Sequence, residues 1–232
     1  MPAYNEEPTI YKVLEILRDL ELIENIQKQI IVIDDCSTDN TCQEVEKFIS
    51  SNPSIDIQLH KNEKNVGKGG ALHKGFALVD GDFTIVQDAD LELDPNEFNL
   101  LLKPVVDGFA DVVYGSRFVG GLPHRSSFFW HSFGNRTVTF FSNMFTNLNL
   151  TDTQTCYKLV DTKILKSINL KERRFGFDPE ITAKLSRVPK VRIYEVGISY
   201  YSRSNAEGKK IGVVDGFRAL WCILKYNVFS KK

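Results

Sequence analysis

Cysteine is scarce in this chain of 232 residues. Cys36, Cys42, Cys156 and Cys222 form no Cys-x-x-Cys pair and have no histidine cluster beside them. A disulfide framework or a zinc site is therefore not expected, and a reducing cytosol fits. The four histidines are scattered and are assigned no metal role. Excess charge is lacking too: the net charge is −1 and the pI about 6.4. No global basic field points to nucleic acid. No stretch reaches the ~18 apolar residues of a membrane-spanning helix, and no signal peptide is expected. Repeats and low-complexity linkers are absent. The glycines at 67, 69 and 70 fit neither a Walker A loop nor G-x-G-x-x-G. What remains is an ordinary globular composition, 42% hydrophobic and 25% charged, long enough for one large domain or two small ones.

The most informative stretch is Thr84-Ile85-Val86-Gln87-Asp88-Ala89-Asp90-Leu91-Glu92. An apolar strand runs into two carboxylates spaced i, i+2. On an extended backbone that spacing puts both on one face. They emerge where the strand ends, which is where open α/β sheets bind ligands. Such a pair can hold a hard divalent cation, with substrate phosphates and water filling the other positions. Glu92 adds a third oxygen on the same alternation. The plainer reading, a turn or a cap, applies just downstream. In Asp94-Pro95-Asn96-Glu97, Asp94 reads as an N-cap, Pro95 as N1 and Glu97 as N3.

Elsewhere strand and helix alternate. An apolar stripe of Ile10, Val13, Leu14, Leu17 and Leu20 predicts a helix over about 8–22. Ile30-Ile31-Val32-Ile33 reads as a parallel strand covered on both faces. It ends in Asp34 and Asp35, either of which could cap the next helix or accept from a base or ribose. A helix carrying Val45, Phe48 and Ile49, a strand over 55–59 and a helix ending near 79 follow. After the Asp-Ala-Asp strand come a helix over about 95–106 and a strand from 111. The class is α/β, with a doubly wound, mostly parallel sheet. The run at 67–70 could cradle phosphate at a helix start, although a tight turn is the simpler reading.

The second half differs. Residues 126–148 are rich in Phe, Trp and Asn and read as one or two amphipathic helices. Thr151 begins a polar connection into a strand. A helix over 177–185, a strand over 191–202 and a helix over about 214–225 close the chain. Arg117, Arg125, Arg136, Arg203, Lys209 and Lys210 are surface residues by default, but arginine forks suit phosphate oxygens. Cations beside an exposed apolar helix would suit a lipid phosphate.

The motifs also fall in a familiar order. Pro2-Ala3-Tyr4-Asn5-Glu6-Glu7, Ile33-Asp34-Asp35-Cys36-Ser37, Asn65-Val66-Gly67-Lys68-Gly69-Gly70-Ala71, Asp88-Ala89-Asp90-Leu91-Glu92 and Gly115-Ser116-Arg117-Phe118 follow one another. The set resembles the inverting family-2 glycosyltransferases with the glycosyltransferase-A fold. Asp152-Thr153-Gln154-Thr155-Cys156-Tyr157-Lys158, Phe175-Gly176-Phe177-Asp178-Pro179-Glu180 and residues 203–209 look like the polyprenyl-phosphate (dolichyl-phosphate) mannose and glucose synthase branch. Lys68-Gly69-Gly70-Ala71 and Asp152-Thr153-Gln154 look closer to the glucose enzymes.

The resemblance implies a single glycosyltransferase domain, with 1–117 binding the nucleotide sugar and 118–232 the acceptor. It implies a metal-dependent hexosyltransferase moving a hexose from a nucleotide-diphosphate sugar to a polyprenyl phosphate. Pro2, Ala3, Tyr4, Glu6, Asp35, Lys68 and Asp88 would bind the nucleotide. Asp90 and Glu92, with Asp88, would hold Mg²⁺ or Mn²⁺. Asp88, Asp90 and Arg203 would be catalytic, with Arg203 and Lys209 on a loop over the donor. Arg117, Arg125 and Arg136 would take the acceptor phosphate. That phosphate is already anionic, so little general-base help is needed. In this family a central strand precedes the segment that opens at Met1, and that strand is missing from the sequence. Many relatives carry C-terminal transmembrane helices, and here attachment would be peripheral, through 128–145, at the cytoplasmic face. Two rivals are kept: transfer to a soluble or glycan acceptor, which predicts a buried 128–145 face, and a non-catalytic nucleotide-sugar binding module.

Overall fold

The structure is a computed structural model that describes residues 1–123, 125, 129–202 and 213–230. Two hydrogen-bonded ladders form its centre. In the first, β1 (Pro2–Ala3) and β3 (Ile57–Lys61) flank β2 (Ile30–Asp34), all parallel. In the second, β4 (Phe83–Ile85), β6 (Lys158–Asp161), β5 (Val112–Ser116) and β7 (Ile193–Gly197) lie in that spatial order. β5 and β7 are parallel, while β6 runs antiparallel to both its neighbours.

β2 and β5 are buried at every position. Their continuous β-branched and apolar sequence requires that, since helices cover both faces. α1 (Ile10–Asp19) turns Ile10, Val13, Leu14 and Leu17 inward to pack with Val32 and Phe48. Each such burial contributes about 1.5–3 kcal/mol. α2 (Thr41–Ser51), α3 (Lys68–Leu78) and α4 (Phe98–Val106) make the other crossovers. Asp94 caps the turn Pro95–Glu97 by accepting from the Asn96 N–H. Glu97 does not reach back to that turn, and its carboxylate accepts from the Ser199 N–H at 3.0 Å.

The aromatic stretch forms a single helix, α5 (Phe129–Thr146), packed against α8 (Val213–Leu224). α6 (Thr162–Ser167) and α7 (Phe177–Leu185) lie between them in sequence. α6 was not anticipated. Asp161 nucleates it by accepting from the Lys163 and Ile164 N–H groups. The strand expected over 191–202 is continuous only over Ile193–Gly197, and Tyr200 forms an isolated bridge beyond it, its N–H donating to the Pro123 carbonyl at 3.0 Å.

Candidate active site

The site is built where β1, β2 and β4 end. At the exit of β1, Asn5 holds a left-handed conformation with φ of 51°, which its short polar side chain tolerates. Asn5 accepts from the Thr38 N–H at 2.8 Å and donates its own N–H to the Ser37 hydroxyl. Glu6, which is buried, donates its N–H to the Thr41 hydroxyl at 2.9 Å. The Thr9 hydroxyl donates to the Ala89 carbonyl at 2.9 Å and so ties this exit to the Asp-Ala-Asp segment. Ala3 is buried within β1, while Tyr4 projects, exposed, beyond it.

Asp34 and Asp35 are both buried at the end of β2, and neither caps α2. Asp34 accepts from the Ser37 N–H. Asp35 takes the Asn62 amide and the Val66 N–H on one oxygen, each at 2.9 Å, and the Gly67 N–H on the other at 2.7 Å. It is thus the anchor of the glycine-rich loop. The glycines themselves serve close packing. Gly67 has φ of +85°, and a Cβ on Gly69 would lie 2.3 Å from the Glu172 carbonyl oxygen. The Gly70 N–H donates to the Arg173 carbonyl at 3.0 Å. The amides of Gly67 and Gly70 are therefore already engaged within the protein.

Past β4 the chain bends instead of staying extended. Asp90 accepts from the Glu92 N–H at 3.1 Å, a local turn that breaks the strand alternation. Asp88 faces Lys68, whose ammonium lies 2.7 and 2.9 Å from its two oxygens. Burial pulls the Lys68 pKa down, but the Asp88 charge overrides it and the value rises well above normal. Asp88 is held below the usual carboxylate range, since Lys68 outweighs the opposing effect of burial. Cys156 completes this group, its sulfur 3.6 Å from the Lys68 ammonium. Asp88, Asp90 and Glu92 thus point to different partners. Among the described residues, no three His, Cys, Asp or Glu side chains gather into a metal-holding group.

Glu92 turns toward Tyr200, whose hydroxyl donates to it at 3.2 Å. Tyr200 is also a floor for the arginines. The Arg117 guanidinium stacks 5.0 Å above its ring, and the Arg125 N–H donates to its carbonyl at 2.8 Å. Arg136, from α5, lies 5.8 Å over Phe118, which Arg117 also covers. The fold therefore places Arg117 and Arg136 over Phe118, while Arg125 meets Tyr200 through its backbone and donates from its guanidinium to the Ser202 carbonyl at 2.6 Å. Arg117 already grips Asp152 through two parallel bonds of 2.6 and 2.9 Å. Asp152, wholly buried, is held ionised because Arg117 outweighs the cost of burial. Arg203 and Lys209 lie outside the described residues.

Three site residues escaped the sequence reading: Tyr200, Cys156 and the Asp152 carboxylate. Asp152 and Cys156 fall in a motif that was noted, but only their contacts give them positions. Tyr200 carries no sequence signal of its own.

The glycosyl transferase family 2 model matches residues 1–168. The chain belongs to that family. This family 2 glycosyltransferase is 30% identical to an undecaprenyl-phosphate mannosyltransferase of Micrococcus luteus over 228 residues, 93% of this chain and 88% of that one. It is 28% identical to a dolichyl-phosphate beta-glucosyltransferase of Dictyostelium discoideum over 226 residues, 91% of this chain and 67% of that one. Its fold superposes on glucosyl-3-phosphoglycerate synthase from Mycobacterium tuberculosis, crystallised with Mn²⁺, UDP and phosphoglyceric acid, with a TM-score of 0.74. That likeness covers 100% of this chain and 78% of the other at 17% identity, and it establishes the glycosyltransferase-A fold.

Proposed function

We propose that this glycosyltransferase moves a hexose from a nucleotide-diphosphate sugar to a polyprenyl phosphate, with inversion. The observation that carries the reading is Tyr200. It joins Glu92, on the segment expected to meet the donor, to the arginine group expected to meet an anionic acceptor. The named activities of the two relatives support a lipid-phosphate acceptor.

In this reading the nucleotide lies across the ends of β1 and β2, against Pro2, Ala3, Tyr4 and Glu6. Asp35 serves it by fixing the loop that starts α3. Asp90, with Glu92, would hold Mg²⁺ or Mn²⁺. Hard carboxylate oxygens fit such an ion, which needs only one or two of them when phosphates supply the rest. When bound, the ion neutralises charge growing on the departing diphosphate. Lys68 keeps Asp88 ionised and adds a positive charge beside the donor. An oxygen of the acceptor phosphate attacks the anomeric carbon as the bond to the diphosphate breaks. Arg117, Arg125 and Arg136 orient that oxygen. Positioning and charge neutralisation supply the rate.

The surface agrees with a lipid acceptor. Phe129, Trp130, Phe133 and Phe140 on α5 are 55–74% exposed, and Phe217 and Trp221 on α8 are 69% and 56% exposed. A soluble acceptor would leave that face with no use for so much exposed aromatic area. No helix among the described residues is long and apolar enough to cross a membrane. This aromatic face is the proposed membrane contact. The test supplies labelled UDP-glucose or GDP-mannose and membranes to the purified protein. Label entering the organic phase supports the proposal. Label found only in water-soluble glycan refutes it.

A further inference from the structure

Residues 168–176 form neither helix nor strand, yet they pack closely on the start of α3. The Gly70 N–H donates to the Arg173 carbonyl at 3.0 Å. Cβ atoms on Gly67 and Gly69 would lie 2.5 and 2.3 Å from the carbonyl oxygens of Arg173 and Glu172. These contacts flank Lys68, whose ammonium pairs with Asp88. From the other side, Asp35 at the end of β2 holds the Val66 and Gly67 amides. The glycine-rich loop is thus gripped between β2 and residues 172–173. A segment without helix or strand bonds keeps one position only if other groups hold it.

Two carboxylates hold this one. Glu180, fully buried on α7, accepts from the Lys171 N–H at 2.8 Å and from the Glu172 N–H at 2.6 Å. Glu172, also buried, meets α3 with its carbonyl and α8 with its carboxylate. That carboxylate takes the Arg218 guanidinium and the Lys225 ammonium at 2.7 Å each, and the Tyr226 hydroxyl at 2.9 Å. Lys225 and Tyr226 sit in the helical turn that continues α8. Arg218, Cys222, Lys225 and Tyr226 recur at i, i+4, i+7 and i+8, which places them on one helix face. Phe217 and Trp221, each one position earlier, stay exposed beside that face.

We infer that Glu172 is a positioning residue for the donor: through it, α8 sets the glycine-rich loop and, with the loop, the Lys68 ammonium beside Asp88. The inference deepens the proposed function and rests on its placing of Lys68 and Asp88 at the donor. Charge-assisted bonds are strong and directional, and three donors converging on two oxygens leave the Glu172 carboxylate one position. A shift of that side chain moves a backbone that Gly67 and Gly69 already touch without room for a methyl group. Glu180 cannot do this alone. It fixes the N–H groups of 171 and 172, whereas the carbonyls that meet α3 belong to 172 and 173. The half of the chain expected to receive the acceptor therefore shapes the half expected to bind the nucleotide sugar.

The test measures the dissociation constants of UDP-glucose and GDP-mannose in Mn²⁺ for the intact chain, Glu172→Gln and Leu101→Ala. Leu101, buried on α4, is the control for lost stability alone. No acceptor is present, so the result does not depend on the lipid assignment. Hydrogen exchange at the Gly70 and Val32 amides is followed in the same proteins. Glu172→Gln weakens the tighter-binding nucleotide sugar roughly 10-fold and speeds exchange at Gly70 more than at Val32. Leu101→Ala melts earlier with its nucleotide affinity unchanged. Unmoved affinity or unmoved Gly70 exchange in Glu172→Gln, or an equal loss of affinity in Leu101→Ala, would overturn the inference. If Glu172→Gln does not fold, Arg218→Gln takes its place. Its half-exposed side chain leaves Lys225 and Tyr226 on the carboxylate, and the same two shifts are expected at smaller size. Their absence there overturns the inference as well. An intact chain that binds neither nucleotide sugar would instead bring down the donor reading, and the inference with it.

Discussion

Tyr200 donates its hydroxyl to Glu92 while its ring lies 5.0 Å beneath the Arg117 guanidinium. One side chain from the segment after β7 thus touches both halves of the proposed reaction centre. Tyr200→Phe keeps the ring and deletes the hydrogen bond. The bond positions Glu92, so its loss lowers kcat/KM roughly 10-fold, and as a bond to a charged partner worth about 1.5–3 kcal/mol it also lowers the melting temperature by a few degrees. Steady-state kinetics beside a thermal melt checks this.

Arg117 and Asp152 form a buried, two-pronged pair. Arg117→Ala strands a buried carboxylate and costs about 3–5 kcal/mol in urea unfolding. Arg117→Met with Asp152→Leu recovers most of that stability, because no charge is left unpaired. The double variant still lacks transfer activity if Arg117 serves the acceptor phosphate. Activity at the normal level would remove Arg117 from the site.

Gly69 has no room for a side chain, since a Cβ would sit 2.3 Å from the backbone oxygen of Glu172. Gly69→Ala therefore forces α3 away from residues 172–173 and costs about 1–3 kcal/mol. Gly121, with nothing within 4 Å of its added Cβ, is the matched control. Gly121→Ala changes stability by less than about 0.5 kcal/mol.

Glu172 gives a pH signature. Burial pushes its pKa up, but hydrogen bonds from Lys225, Arg218 and Tyr226 win and bring it to about 2 from 4.5. A carboxylate depressed on folding stabilises the fold above its unfolded value. That contribution is lost as pH falls from about 4.5 toward 2. Glu172→Gln flattens the acid limb of a stability–pH curve in that window. An unchanged limb would contradict the assignment.

Much of this was legible in the sequence, and the rest was not for a physical reason. Ile30–Ile33 announces a two-sided buried strand by composition alone, and Asp94-Pro95 announces its cap. Both signals are local. Asp35 is different: its partners lie about thirty residues away, at Asn62, Val66 and Gly67, so its hold on the glycine-rich loop cannot be read from its own segment. β6 is four residues long and runs antiparallel between β4 and β5. Nothing in Lys158-Leu159-Val160-Asp161 states that direction. The turn made by Asp90 on the Glu92 N–H likewise defeats an alternation argument that assumed an extended chain.

The most direct test of the central claim is transfer of labelled sugar to purified polyprenyl phosphate in Mn²⁺, by the intact chain and by Asp90→Ala. The account predicts organic-phase product from the intact chain, lost on metal chelation, and a drop of at least about 10³-fold in the variant. Product formation by Asp90→Ala at the intact rate, or indifference of the intact chain to chelation, would contradict it.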